Sequence, residues 1–342
     1  MPHTGSYFDR LVGLRCSLTG ERPDLARHFV NREAINSCAD VLSTIRYRGQ
    51  SAGDLRLAVA PVPLSLRQAV LPDAHSHAQR LLEAFVLLAL HGIQDVIEYY
   101  LTGTLDFENH TIAPVITSVS PCRDRLIVRL HPDAAIPLLR SLIPHWANDP
   151  ADYWGIRGLC VDFRKRALVL RLWQTDKHTT AGEVVLGGLT QRHWGQALTH
   201  VHDTVQDLKV LDPTRSGKGA SLSGEVKQWP QHPGNAATIQ IASAVLRRFA
   251  PLRMTTLDVW DTNHHFNVEI GKQKHISTLA REWRRPVVGI DPHTAILDQE
   301  QPLDLSSHDA IRFRAADDKQ VVLLLRQLDL PLVHTGQVGA AS

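Results

Sequence analysis

The middle of the chain alternates apolar and polar positions, whereas its flanks repeat apolar residues at helical spacing. The first pattern predicts strands and the second helices. Ala78 to Leu101 carries the strongest helical pattern, with Leu81, Leu82, Phe85, Leu88, Ile93, Val96, Ile97 and Tyr100 on a broad apolar face and Gly92 as a break. Before it, residues 1–50 mix short helical patterns with Pro and Gly, and Leu55–Val59 reads as a strand closed off by Pro61 and Pro63.

Val115–Val119 and Leu126–Leu130 flank a charged turn, Cys122-Arg123-Asp124-Arg125, which predicts a β-hairpin. A helix follows from Asp133, as N-cap, through Leu139, Leu142, Ile143 and Trp146. The pattern then recurs. Ile156–Trp173 predicts a second hairpin with Arg164, Lys165 and Arg166 at its turn, followed by a helix over 181–194. The two helices end in matching pairs, His145-Trp146 and His193-Trp194. Duplication and a merely recurring architecture both explain this.

Asp212–Asn235 is rich in Gly, Ser and Pro and reads as a linker. Beyond it come a helix over 236–249 capped by Asn235, strands near 255–260, 264–270 and 286–290, and a last hairpin pairing 311–314 with 321–326. The predicted fold class is α+β: an antiparallel sheet built from β-hairpins with helices packed on one face, plus a second, smaller α+β unit. The organisation expected is an N-terminal helical arm (1–50), an antiparallel α+β domain (51–222) and a C-terminal α+β domain (223–342).

Composition narrows the class. With 43% apolar and 21% charged residues over 342 positions, the chain can bury a sizeable core. A net charge of +2 excludes wholesale coating of nucleic acid but permits a local basic patch. Arg outnumbers Lys by 29 to 8, which fits either a GC-rich genome or a use for rigid bidentate guanidinium forks. The four cysteines show no CxxC spacing, so reduced thiols are expected rather than a zinc ribbon. The N-terminal residues lack a secretory pattern, and the longest apolar run, Phe85–Leu90, is too short to cross a bilayer. A cytoplasmic protein without membrane contact is expected.

Candidate chemistry concentrates at the second hairpin. In the strand 167–173, Ala167, Val169, Arg171 and Trp173 share one face, and Leu168, Leu170 and Leu172 the other. If the leucines meet the helices, Arg171 and Trp173 lie beside Arg164, Lys165 and Arg166, where guanidinium and indole hold an anionic, planar ligand by charge and stacking. Arg215 and Lys218 lie in a Gly-rich loop that is not a Walker motif, because Gly219 stands where Ser or Thr is required. It reads as a flexible phosphate-gripping loop or as plain linker. His75-Ser76-His77, followed by Leu90-His91-Gly92-Ile93, resembles the HxH entry of the amidohydrolase superfamily. That resemblance implies a metal-dependent hydrolase on a parallel barrel, which the predicted hairpins oppose. There is no GxSxG elbow and no cysteine in a recognisable His or Asn context.

Residues 79–225 resemble the messenger-RNA cap-binding translation initiation factor fold. Leu82-Glu83-Ala84-Phe85 through His91-Gly92-Ile93 is similar to that family's first helix, and Phe107–Pro114 to its Phe…Gly-Ile-x-Pro segment. Arg125–Val128, Leu138–Ile143, Ile156–Trp173 and Leu208–Val210 with the 215–221 loop follow in the family's order. The resemblance implies a curved antiparallel sheet with a nucleotide on its concave face. It gives phosphate-gripping roles to Arg164 and to Lys165 or Arg166, and a base contact to Trp173. The chain departs from the family after Pro114, where Val115, Ile116, Thr117 and Ser118 stand and no Trp precedes Trp146. The family's two-Trp sandwich around the base is therefore not expected.

The reading that follows is a non-catalytic protein, without metal or cofactor, that binds an anionic ligand, nucleotide or RNA. Arg164, Lys165, Arg166, Arg171 and Trp173 form the expected site, joined by Arg215 and Lys218. Two alternatives are carried. One is a structural or assembly subunit, including a viral coat-type protein, that uses these surfaces for protein partners or its own copies. The other is a metal-dependent hydrolase acting through His75 and His77.

Overall fold

The computed structural model describes residues 7–40, 62–90, 115–146, 153–174, 179–204, 209–210, 212–214, 236–250, 257–261, 266–270, 276–297, 310–316 and 321–327. The predicted strand at 55–59, the helix beyond residue 90, the 107–114 segment, and Arg215 and Lys218 lie outside the described residues.

Three short helices open the chain: α1 (Tyr7–Thr19), α2 (Pro23–Phe29) and α3 (Arg32–Asn36). They attach through one buried ion pair. Arg15 holds Glu21 and donates to the carbonyls of Val70 (2.9 Å) and Pro121 (3.1 Å), so the arm is tied to the first sheet by a fully satisfied guanidinium. Helices α4 (Leu64–Val70) and α5 (His77–Leu88) follow. Ser76 caps α5 by accepting a hydrogen bond from the Gln79 amide at 3.1 Å.

The first sheet contains β1 (Ile116–Cys122) and β2 (Arg125–Leu130), then, after helix α6 (Ala135–Leu142), β5 (Leu159–Arg164), β6 (Ala167–Gln174) and β7 (Thr179–Gly187). Its order is β1-β2-β7-β6-β5. Both predicted hairpins are present with antiparallel pairing, β1 with β2 and β5 with β6. A short 3-10 turn, Pro132–Ala134 capped by His131, precedes α6 where Asp133 was expected to start the helix. Leu168, Leu170, Val184, Leu186, Leu126 and Val128 are buried with Leu138, Leu139 and Leu142 of α6. They share that core with Trp194, Ala197 and Val201 of α7 (Gln191–Thr204). The leucine face thus meets helices, as the alternation requires.

Three expectations change. Residues 179–187 form β7 rather than the start of a helix, and the helix begins only at Gln191. Thr179, Thr180, Val184 and Val185 are β-branched, and the strand is secured on both sides by β6 and β2. The β2–β7 contact is parallel, which no chain of hairpins supplies. Trp146 belongs to no helix. It lies in β3 (His145–Trp146), in a small sheet with β4 (Tyr153–Trp154) and β8 (Lys209–Val210), whereas Trp194 is buried in α7.

The second sheet follows helix α8 (Ala236–Leu246). It comprises β9 (Leu257–Asp261), β10 (Phe266–Ile270), β11 (Ala295–Leu297), β12 (Ala310–Ala315) and β13 (Val321–Gln327), with helix α9 (Ile276–Trp283) after β10. Residues 286–290 form a turn rather than the expected strand, with Gly289 and Ile290 donating to the carbonyls of Arg285 and Trp283. A Cβ at Gly289 would stand 2.2 Å from the Trp283 carbonyl oxygen, so only Gly fits.

The two sheets share one plan. Written from the first hairpin, the orders are β1-β2-β7-β6-β5 and β9-β10-β13-β12-β11. In each, a helix precedes the first strand, another follows the second strand, and the second strand lies parallel to the last. The repeat in this protein is therefore the whole α-β-β-α-β-β-β unit. It is not the hairpin-helix recurrence seen within the first sheet. The leading helices α5 and α8 pack on the last strand of their own sheets and on each other. Helix α8 is apolar nearly all round and buried from Thr238 to Leu246, as a helix with neighbours on every side must be.

Candidate functional site

Pairing registers define a polar face on the first sheet. Residues directly opposite one another point the same way. One row runs Arg129, Gly187, Ala167, Arg164 across β2, β7, β6 and β5, and the next runs Ile127, Val185, Val169, Asp162. A third level carries Arg171 opposite Cys160, and Trp173 follows two residues further along β6. The predicted hairpin residues are thus brought to one face. Arg164, Lys165 and Arg166 are exposed and Arg171 and Trp173 half-buried.

What sequence reasoning missed is the carboxylate between them. Glu183 on β7 receives both guanidiniums, Arg164 through Nη1 and Nη2 at 3.3 and 3.2 Å and Arg171 through Nη2 at 2.8 Å. Arg171 also pairs with Asp162 on β5. The line from Arg164 to Glu183 crosses the sheet at the level of Val169, which is fully buried although it lies on the polar face. Partial burial pushes the Glu183 carboxyl up, but the hydrogen bond from Arg171 and the charges of Arg164 and Arg171 outweigh it, and the group is held below the usual carboxylate range.

Glu183 is fixed from behind. The β2 partner covers β7 only from Val184 onward, leaving the Glu183 backbone without a strand on that side. The side-chain amide of Gln79 replaces it, donating to the Glu183 carbonyl at 3.0 Å and accepting from its N–H at 2.7 Å. Helix α5 passes so close that a Cβ on Gly182, whose φ is +72°, would lie 3.1 Å from the Ala78 carbonyl oxygen. No local signal pairs Gln79 with Glu183; a strand reading of Thr179–Gly187 would at least have placed Glu183 on the face of Val185.

Lys165 and Arg166 carry no ion pair to a described residue, and neither does Arg129, whose Cγ lies 3.6 Å from where a Gly187 Cβ would stand. Around Glu183 and Asp162 the hairpin places four cations, Arg164, Lys165, Arg166 and Arg171, so two positive charges remain in excess. Cys160, opposite Arg171, is no nucleophile: burial, aided by Asp162, pushes its thiol up.

The histidine pairs do not make metal sites of the expected form. His75 lies in a loop against Arg123 and His77 is the first residue of α5, so no strand points both at one ion. His200 and His202 lie on α7, where positions two apart face different sides. Among the described residues no group of three His, Cys, Asp or Glu side chains is placed to hold a metal. No described helix is long and apolar enough to cross a membrane. No protein-family model, curated protein or solved structure matches the chain.

Proposed function

We propose that the chain is a non-catalytic protein that binds a phosphate-bearing ligand, nucleotide or RNA, on the polar face of its first sheet. One observation carries this reading: Arg164 and Arg171 converge on a single oxyanion, the Glu183 carboxylate, in the forked geometry that guanidinium offers to carboxylate and phosphate alike. The site is a preformed anion clamp holding a tethered anion. Lys165 and Arg166 add uncompensated charge at its rim, and Trp173 adds a π face for a base. The cap-binding resemblance supports the same assignment of the hairpin cations to phosphates. The assembly alternative rests on exposed Trp154 and Leu64, which are separate residues of a kind ordinary surfaces carry.

Nitrocellulose filter binding of a labelled oligoribonucleotide at low salt tests the reading. The wild type should bind, and Arg164→Ala with Arg166→Ala should weaken binding about tenfold and reduce the salt slope by roughly 1.4, for two lost phosphate contacts on a single strand. No RNA affinity at low salt ends the proposal.

A further inference from the structure

Resting on that reading, we infer that the ligand is an extended single strand of RNA laid across the strands, with Arg129 on β2 as a second phosphate anchor. The pairing registers put Arg129 and Arg164 at opposite ends of one row, separated only by Gly187 and Ala167. Three strand spacings set their Cα atoms about 14 Å apart. That span exceeds what one phosphate group reaches, and both ends are exposed cations. Between them no side chain larger than a methyl group rises from the sheet. Arg129 has no ion pair to a described residue, so its charge is available where that of Arg164 is shared with Glu183. A polyanion has repeated charges to meet both ends at once, and the half-buried Trp173 offers stacking that an acidic peptide would not use. Glu183 then acts as the internal competitor: the strand gains Arg164 by displacing it.

A length series decides this. Uridine monophosphate and oligouridylates of increasing length are titrated against the wild type, Arg129→Ala and Gly187→Val by fluorescence competition. The wild type should show an abrupt gain in affinity once the oligomer spans the row. Arg129→Ala should remove that gain and lower the salt slope by roughly 0.7 for one single-strand phosphate, leaving mononucleotide affinity unchanged. Gly187→Val tests the floor without breaking the fold. Its backbone φ is not in the left-handed range, and the new Cβ would make an ordinary 3.6 Å contact with Arg129; thermal melts should match the wild type. It should block oligomers while sparing the mononucleotide. Equal affinity for monomer and oligomer, or an Arg129→Ala series that keeps the gain, overturns the inference while leaving the anion site intact. Binding of neither ligand removes the underlying reading and this inference with it.

Discussion

Arg247 and Arg164 each hold a glutamate, yet they live in opposite surroundings. Arg247, just beyond α8, is fully buried. It donates to both oxygens of Glu83 on α5, at 2.8 and 2.6 Å, and to the carbonyls of Pro72 and Cys122. Glu83 is buried too, and Ser243 and Gln79 donate to it. Nearby, buried Arg67 and Arg248 bind the carbonyls of Pro286, Gly289 and Val288 and face Asp73. Arg164 has a side chain 49% exposed and spends its charge on one partially exposed carboxylate. The same residue type therefore joins the two repeated units in one place and stands ready for an external anion in the other. What separates the roles is water: inside, every donor must find a fixed acceptor, whereas on the surface solvent can substitute and a ligand can exchange.

The sharpest way to break this comparison is at the junction. Glu83→Gln leaves Arg247 as a buried charge without its counter-ion, and should cost about 3–5 kcal/mol in urea unfolding. The paired change Glu83→Leu with Arg247→Met should recover most of that loss, because the desolvation penalty leaves with the charges. If Glu83→Gln unfolds like the wild type, the junction is not held this way.

At the surface the same operation should do the reverse. Glu183→Gln frees Arg164 and Arg171 and should raise RNA affinity severalfold, with little change in melting temperature. Weaker RNA binding by this variant would mean that Glu183 positions the cations rather than competing with the ligand.

Acid should report both regions. Burial alone would raise the Asp73 carboxyl, but Arg248, then Arg67 and Arg247, overcome it and hold it low, as Arg171 and Arg164 do for Glu183. Depressed carboxylates contribute stability that is fully present above their unfolded values, about 3.9 and 4.3. It is lost as pH falls through the lower folded values. Asp73→Asn and Glu183→Gln should each flatten the acid limb of a stability–pH curve below about pH 4.5 and leave its shape at pH 7 unchanged. An acid limb identical to the wild type in both variants would show these pairs to be energetically idle. The smallest effect belongs to Arg22 and Asp24, an ion pair whose side chains are 85% and 70% exposed. Asp24→Asn should not shift the melting temperature measurably.

Local rules made much of this architecture readable. Alternation located both hairpins of the first sheet, because one face of each strand must be apolar to meet helices. It also put Leu168, Leu170 and Leu172 opposite Arg171 and Trp173. The last hairpin, β12 with β13, was legible for the same reason. The segment 181–187 was misread because Val184, Val185 and Leu186 form a short apolar run whose period fits helix and strand equally. Helix α9 escaped notice because its eight residues offer too few turns for a firm periodicity. Gln79, Glu83 and Arg67 looked like ordinary helix-surface residues, since nothing within a few positions shows that another element will cover them.

The sequence by itself determined the α+β class, the hairpin turn of Arg164, Lys165 and Arg166, and the face on which Arg171 and Trp173 stand, all consequences of side-chain periodicity along single elements. Only the tertiary structure decided that β2 and β7 lie parallel, that one unit is repeated on a shared plan, and that Glu183 occupies the clamp while Arg129 shares its row. Those facts depend on contacts between residues tens of positions apart. Such contacts are set by which buried faces and charges can be satisfied together, and no local pattern records that.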